Sequence, residues 1–246
     1  MVFRPAHLLC LALAAPAAAS ACGAPGATAK LREAGPGGEI GLSDGRRVRL
    51  GGVQLAPGAQ AAMGDWIGRR VGVATLAAEP DRWGRTVVDL VDPSGPSLAL
   101  DLVTRGLAFV RPEPASRGCD GERFEAEAAA RAAGEGAWAD GAVLAAQDAK
   151  ALAAADGRFV VVEGVVRGVG EGRAKVYLDF GAKGGFSVTV SRKAEDRFRR
   201  AGVDLSALAG RKVLVRGVVD NRFGPRIEIA DPAMIEMLET DASRGG

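Results

Sequence analysis

One histidine, His7, occurs in 246 residues, and it lies in the apolar leader of the chain. Chemistry elsewhere must therefore be built from carboxylates, arginines, hydroxyls and backbone groups. Serine and threonine have no imidazole to activate them, and zinc finds neither histidines nor enough cysteines among the three present. Guanidinium groups are plentiful: Arg46, Arg47 and Arg49 cluster, as do Arg69 with Arg70, Arg82 with Arg85, and Arg192-Lys193 with Arg197, Arg199 and Arg200. Such clusters are either solvated faces or anion contacts. Lys175 and Tyr177 share one face of an alternating segment, with Phe223 the other aromatic in a loop. A cation beside an aromatic ring is a minimal stacking platform for single-stranded nucleic acid; the alternative is an ordinary surface or barrel-mouth position. The glycine-rich stretch Gly164 to Gly172 lacks the Lys-Ser/Thr and helix of a phosphate loop. The carboxylates Glu125 and Glu127 read as the exposed face of an Ala/Glu helix.

The chain starts Met1-Val2-Phe3-Arg4, continues with an apolar run from Leu8 to Ala19, and reaches the small residues Ala19-Ser20-Ala21. This is the pattern of a secretory signal, too short for a membrane span, and it implies an exported, periplasmic or secreted protein. Cleavage after Ala21 would remove His7 and Cys10 and expose Cys22. Ala19-Ser20-Ala21-Cys22 is a loose match to a lipoprotein signal, so a lipid anchor at Cys22 is one reading. The other is a disulfide between Cys22 and Cys119, worth about 2–4 kcal/mol. The formal net charge of +2 gives no global polycation signal for nucleic acid.

Length allows two domains of about 100 residues each. Glu39 to Val53 reads as a hairpin turning at Ser43-Asp44-Gly45, Ala59 to Ile67 as a short helix, and Arg70 to Leu76 and Arg85 to Val91 as strands. Ser97 to Arg105 and Glu122 to Ala133 read as helices stopped by Gly106 and Gly134. Ala142 to Ala155 is Ala-rich and reads as a helical connector. Strand patterns then run Val160 to Val169, Lys175 to Phe180 and Phe186 to Val190, followed by a helical insert Arg192 to Ala201 and strands at Lys212 to Val219 and Arg226 to Ile229. Five strands with a helix between the third and fourth is the order of an OB-type barrel. The expected division is signal 1–21, N-terminal arm 22–38, first domain 39–140, connector 141–155, OB-type domain 156–240 and tail 241–246.

Arg47-Val48-Arg49-Leu50, Asp81-Arg82-Trp83-Gly84-Arg85, Leu102 to Ala108 and the closing Ala129 to Trp138 follow one another in a specific order. Together they resemble the staphylococcal-nuclease-like (thermonuclease) family over roughly Glu39 to Asp140. The resemblance implies that the first domain is an OB-type barrel with helices; with the strand order of the second half, the expected fold is mainly β with helices (α+β), two OB-type barrels in tandem, the first nuclease-like. It also implies that Arg49 and Arg85 hold a scissile phosphate, since a guanidinium offers paired donors to phosphate oxygens. Pairing with nearby carboxylates such as Asp81 or Asp89 is the open alternative.

The chain departs from the family at its metal site. The aspartate-rich element before the first strand is here Pro36-Gly37-Gly38-Glu39. The element supplying a further calcium ligand and the general-base glutamate is here Gln54-Leu55-Ala56-Pro57-Gly58. Calcium wants six to eight oxygens; Glu39, even with the carbonyl of Gln54, falls well short, and an enzyme would have to recruit Glu39 or Asp44 as a makeshift ligand or base. The expectation is a catalytically impaired protein that binds nucleic acid or another polyanion through Arg49, Arg85, Lys175, Tyr177 and Phe223, with no cofactor. The alternatives are an active phosphodiester-hydrolysing endonuclease using calcium, and an envelope protein-interaction module.

Overall fold

The computed structural model describes residues 22–93, 95–182 and 184–238. The signal reading, Cys10, His7 and the tail 241–246 lie outside them.

The first sheet is a closed barrel made from β1 (Ala27–Ala34), β2 (Glu39–Leu42), β3 (Arg47–Leu50), β5 (Arg70–Thr75) and β6 (Thr86–Val91), in the order β1-β2-β3-β6-β5. β4 (Val53–Leu55) lies outside it and pairs with β7 (Ala108–Val110). The helices are α1 (Ala59–Gly64), α2 (Leu98–Thr104), capped by the Ser97 hydroxyl accepting from the Leu100 N–H, and α3 (Asp120–Ala133). The expected Asp44–Gly45 hairpin is present as β2 and β3. The stretch read as an N-terminal arm is instead a barrel strand. β1 pairs with both β2 and β5, and the Leu31–Glu33 irregularity bends it around the barrel. Its inward set is only Ala29 and Leu31, set among Lys30, Arg32 and Glu33, so its alternation is too weak to stand out in sequence.

Alternation in β2, β3 and β6 places Ile40, Val48, Val88 and Leu90 in the barrel core, with Leu98 and Leu102 of α2 closing one end. Burial of each such side chain contributes about 1.5–3 kcal/mol. Gly106 (φ +63°) ends the α2 segment where a Cβ would sit 2.0 Å from the Glu135 carbonyl oxygen, so no side chain is tolerated there.

The supposed connector divides into strand β8 (Val143–Ala145), parallel to β9, and helix α4 (Ala149–Ala154). The second half contains β9 (Phe159–Val165), β10 (Gly168–Glu171), β11 (Lys175–Asp179), β12 (Ser187–Ser191), helix α5 (Arg192–Arg200), β13 (Lys212–Asp220), β14 (Arg226–Ile229) and β15 (Ile235–Met237). All its strands belong to one eight-stranded sheet, ordered β10-β11-β12-β14-β13-β9-β8, with β15 on β13. The sequence pattern suggests one strand from Val160 to Val169; the chain breaks it at Val166-Arg167, so that β9 serves β13 and β10 serves β11. Leu178, Phe180, Val188, Phe198 and Ile227 fill the core beneath.

A third, smaller apolar cluster joins the halves: Ala130 and Trp138 from the first meet Val161 and Leu214 from the second. Phe109 meets Trp138 edge-to-face at 5.0 Å and 84°. No helix among the described residues is long and apolar enough to cross a membrane.

Candidate nucleic-acid interface

β3 and β6 run parallel with Arg49 opposite Val87, which brings Arg49 beside the turn before β6. That turn is organised by Asp81. Its Oδ1 accepts the backbone N–H groups of Trp83 and Arg85, both at 3.0 Å, and Gly84 (φ +75°) completes the bend. Arg85 closes on Asp81 Oδ2 through Nε at 2.9 Å and Nη2 at 2.7 Å, and Arg49 Nε reaches the same oxygen at 3.4 Å. Desolvation works to raise the Asp81 pKa, but the Arg85 guanidinium and the two backbone N–H groups outweigh it and bring the pKa down to about 2. The two arginines singled out in sequence are therefore together, and both face a carboxylate.

A second carboxylate, invisible in the sequence motif, completes the group. Glu113 lies just beyond β7 and accepts from Arg49 Nη1 at 3.1 Å and Nη2 at 2.9 Å, and from the Gly52 N–H at 2.7 Å. Gly52 (φ +73°) leaves no room for a side chain: a Cβ would meet Arg123 Nη1 and Ser116 Oγ at 2.4 Å. Arg49, Asp81, Arg85 and Glu113 line a cleft of about 600 Å³ that also takes in Gln54, Gly58, Trp83 and Arg111. Trp83 is 58% exposed at its rim. The guanidinium carbons of Arg82 and Arg85 lie 3.9 and 4.9 Å from its ring centroid. Glu39 does not line the cleft. Its carboxylate is held by Arg47, which lowers its pKa.

The second half carries a cleft of about 670 Å³ lined by Lys175, Arg222, Phe223 and Arg226, and again by Arg111 and Glu113. Phe223, 85% exposed, has the Arg226 guanidinium 5.0 Å from its ring centroid. Lys175 pairs with Glu228 at 2.7 Å, and Arg222 with Asp220 at 2.9 Å; Arg222 brings Asp220 down to about 2. Tyr177 follows Lys175 on the same face but stands outside the cleft, 38% exposed beside Gly172. Its opposite number Thr189 is fully buried. The cluster on α5 is largely tied up within its own surroundings: Arg192 pairs with Glu171 and Glu195, and Arg199 with Asp196.

Two further ion pairs are fully buried. Glu127, read as part of an exposed helix face, is buried and bound by Arg216 of β13. Asp89 is buried in β6, with Arg123 Nη2 at 3.2 Å, and desolvation raises its pKa. The Cys22–Cys119 disulfide, with a Cα–Cα distance of 4.8 Å, lies against Asp89. Sequence offered no signal for these burials, because a buried arginine on a helix or strand has the same spacing as a solvated one.

No family model matches the chain, and no curated protein matches it.

Proposed function

We propose that this protein is a non-catalytic binder of single-stranded nucleic acid, built from two OB-type modules of which the first is staphylococcal-nuclease-like. The shared strand order supports the architecture. In each half the third strand pairs in parallel with the fifth (β3 with β6, β12 with β14), and the first strand joins the second and the fourth. In the second half, β10 and β9 share the role of that first strand.

The observation that carries the binding reading is the exposed Trp83 indole beside Arg85 and Arg49 at the rim of one cleft. An exposed indole can stack on a base in place of a guanidinium that now lies against it, and the adjoining guanidinium groups donate to the flanking phosphate. Binding rather than cleavage follows from the donor set. Calcium needs several oxygens free to coordinate, whereas Asp81 and Glu113 are both bound by arginines and Glu39 by Arg47. Gln54 and Gly58 stand where the family resemblance calls for acids. These residues do not fit a calcium ion. With Cys22 joined to Cys119, its sulfur is not available for a lipid thioether, which favours the disulfide over the anchor.

Trp66 and Trp138 are buried, so quenching of tryptophan fluorescence reports on Trp83. Titration with a single-stranded oligonucleotide should quench this emission, and added salt should weaken binding. The same protein should leave the oligonucleotide intact with calcium present. Calcium-dependent cleavage that disappears in Arg85→Ala would replace this reading with the endonuclease.

A further inference from the structure

The two clefts share Arg111 and Glu113 and therefore adjoin. We infer that they form a single track in which one strand of nucleic acid runs from Trp83 across the seam to Phe223, with Arg111 as its central phosphate contact. This inference rests on the nucleic-acid reading above.

The backbone at the seam is held from both halves. The Val110 N–H donates to Glu127 Oε1 at 2.8 Å, and the Val110 carbonyl accepts from Arg216 Nη1 at 3.1 Å. The Arg111 N–H donates to the Gly52 carbonyl at 2.9 Å. Residues 110 and 111 are thus fixed to the first barrel, to α3 and to β13 at once. A ligand lying across them meets one rigid surface, and ordering the protein does not detract from its affinity.

Arg111 also differs from the other arginines of the clefts. Arg49, Arg85, Arg222 and Arg226 each have a carboxylate within salt-bridge distance. Arg111 donates instead to the neutral Gln54 amide oxygen at 3.1 Å and stands 5.7 Å from the Phe159 ring. Exchanging an amide for a phosphate gains charge pairing without breaking an ion pair. The exposed aromatics Trp83 and Phe223 flank this position, with exposed Val218 on the Phe223 side. An alternation of ring and guanidinium suits the base-and-phosphate repeat of an unpaired strand, whereas a duplex hides its ring faces.

Basic groups exceed acids only four to three in the second cleft and three to two in the first. Stacking must then carry more of the affinity than charge, and the salt dependence should be shallow.

The test uses oligothymidylates of about 4 and about 20 nucleotides, at the lower end of and beyond the roughly 4–16 nucleotides that a single module covers, with Trp83 fluorescence and stoichiometry as readouts. The longer strand should bind one per protein and more tightly than the shorter. Phe223→Ala should weaken the longer strand about ten-fold, the scale of one lost stack, and leave the shorter strand's quenching of Trp83 unchanged. Arg111→Glu and Arg111→Gln should both weaken the longer strand, the former more; circular dichroism establishes that each is folded. Two long strands per protein, or quenching by the long strand that ignores Phe223→Ala and Arg111→Glu, would overturn the single track while leaving nucleic-acid binding in place. Absence of quenching by either length would overturn both.

Discussion

Arg216 and Glu127 form a fully buried ion pair between β13 and α3, and through it the two halves grip the same backbone residue, Val110. The Arg216 guanidinium also lies 4.6 Å from the Phe124 ring centroid and 3.6 Å from Glu236. The pair has been moved out of water in full, so its worth depends on both partners being present.

Arg216→Ala should therefore destabilise the whole protein by about 3–5 kcal/mol, because Glu127 is left charged and buried. Replacing both residues by apolar ones of similar volume should cost much less. Urea unfolding followed by circular dichroism distinguishes the two. Equal losses in the single and double variants would contradict the uncompensated-charge account.

Glu113→Gln should strengthen oligonucleotide binding several-fold. The amide oxygen can still accept from the Gly52 N–H, but the charge that occupies Arg49 Nη1 and Nη2 is gone. Arg49→Ala should weaken binding. Fluorescence titration at constant salt checks both; weaker binding by the Gln variant would mean that Glu113 positions Arg49 rather than competing for it.

Stability should respond to acid in two opposed ways. Asp81 has its pKa depressed to about 2 from 3.8, so its contribution is present above the unfolded value and is lost as pH falls through the folded one. Asp89 is shifted upward by burial. Its folded state binds the proton more tightly than the unfolded chain, so stability declines as pH rises from 3.8 through the raised folded value. Asp81→Asn should flatten the rise in melting temperature between pH 2 and 4. Asp89→Asn should remove the decline on the higher-pH side. Unchanged slopes in either variant would sink the assignment for that residue.

Reduction of Cys22–Cys119 should lower stability by about 2–4 kcal/mol. The bond pins the segment just ahead of β1 to the segment leading into α3. Thermal melts with and without reductant should differ for the parent protein and coincide for a Cys22→Ser, Cys119→Ser double variant. A difference that persists in the double variant would point to another effect of the reductant.

Local order was legible wherever a pattern was strong. The β2–β3 hairpin, α2 with its Gly106 stop, and α5 between β12 and β13 are found close to their expected bounds. β1 and β8 were missed because short segments with one or two inward residues acquire strand character from their partners: β2 and β5 for one, β9 for the other. Such pairing is non-local and leaves little trace in periodicity.

Sequence alone determined the chemistry on offer: one histidine, His7, and an abundance of arginines, Arg49 and Arg85 among them. It also determined that the segment Gln54-Leu55-Ala56-Pro57-Gly58 carries no acidic residue. Only the tertiary structure decided that Arg49 and Arg85 meet at Asp81, that Glu113 arrives from a segment 64 residues beyond Arg49, and that Arg111 stands at the junction of two clefts. The reason is the range of the interactions. Residue type and local spacing travel with the chain, whereas the partner of a charge is set by which distant strand the barrel places beside it.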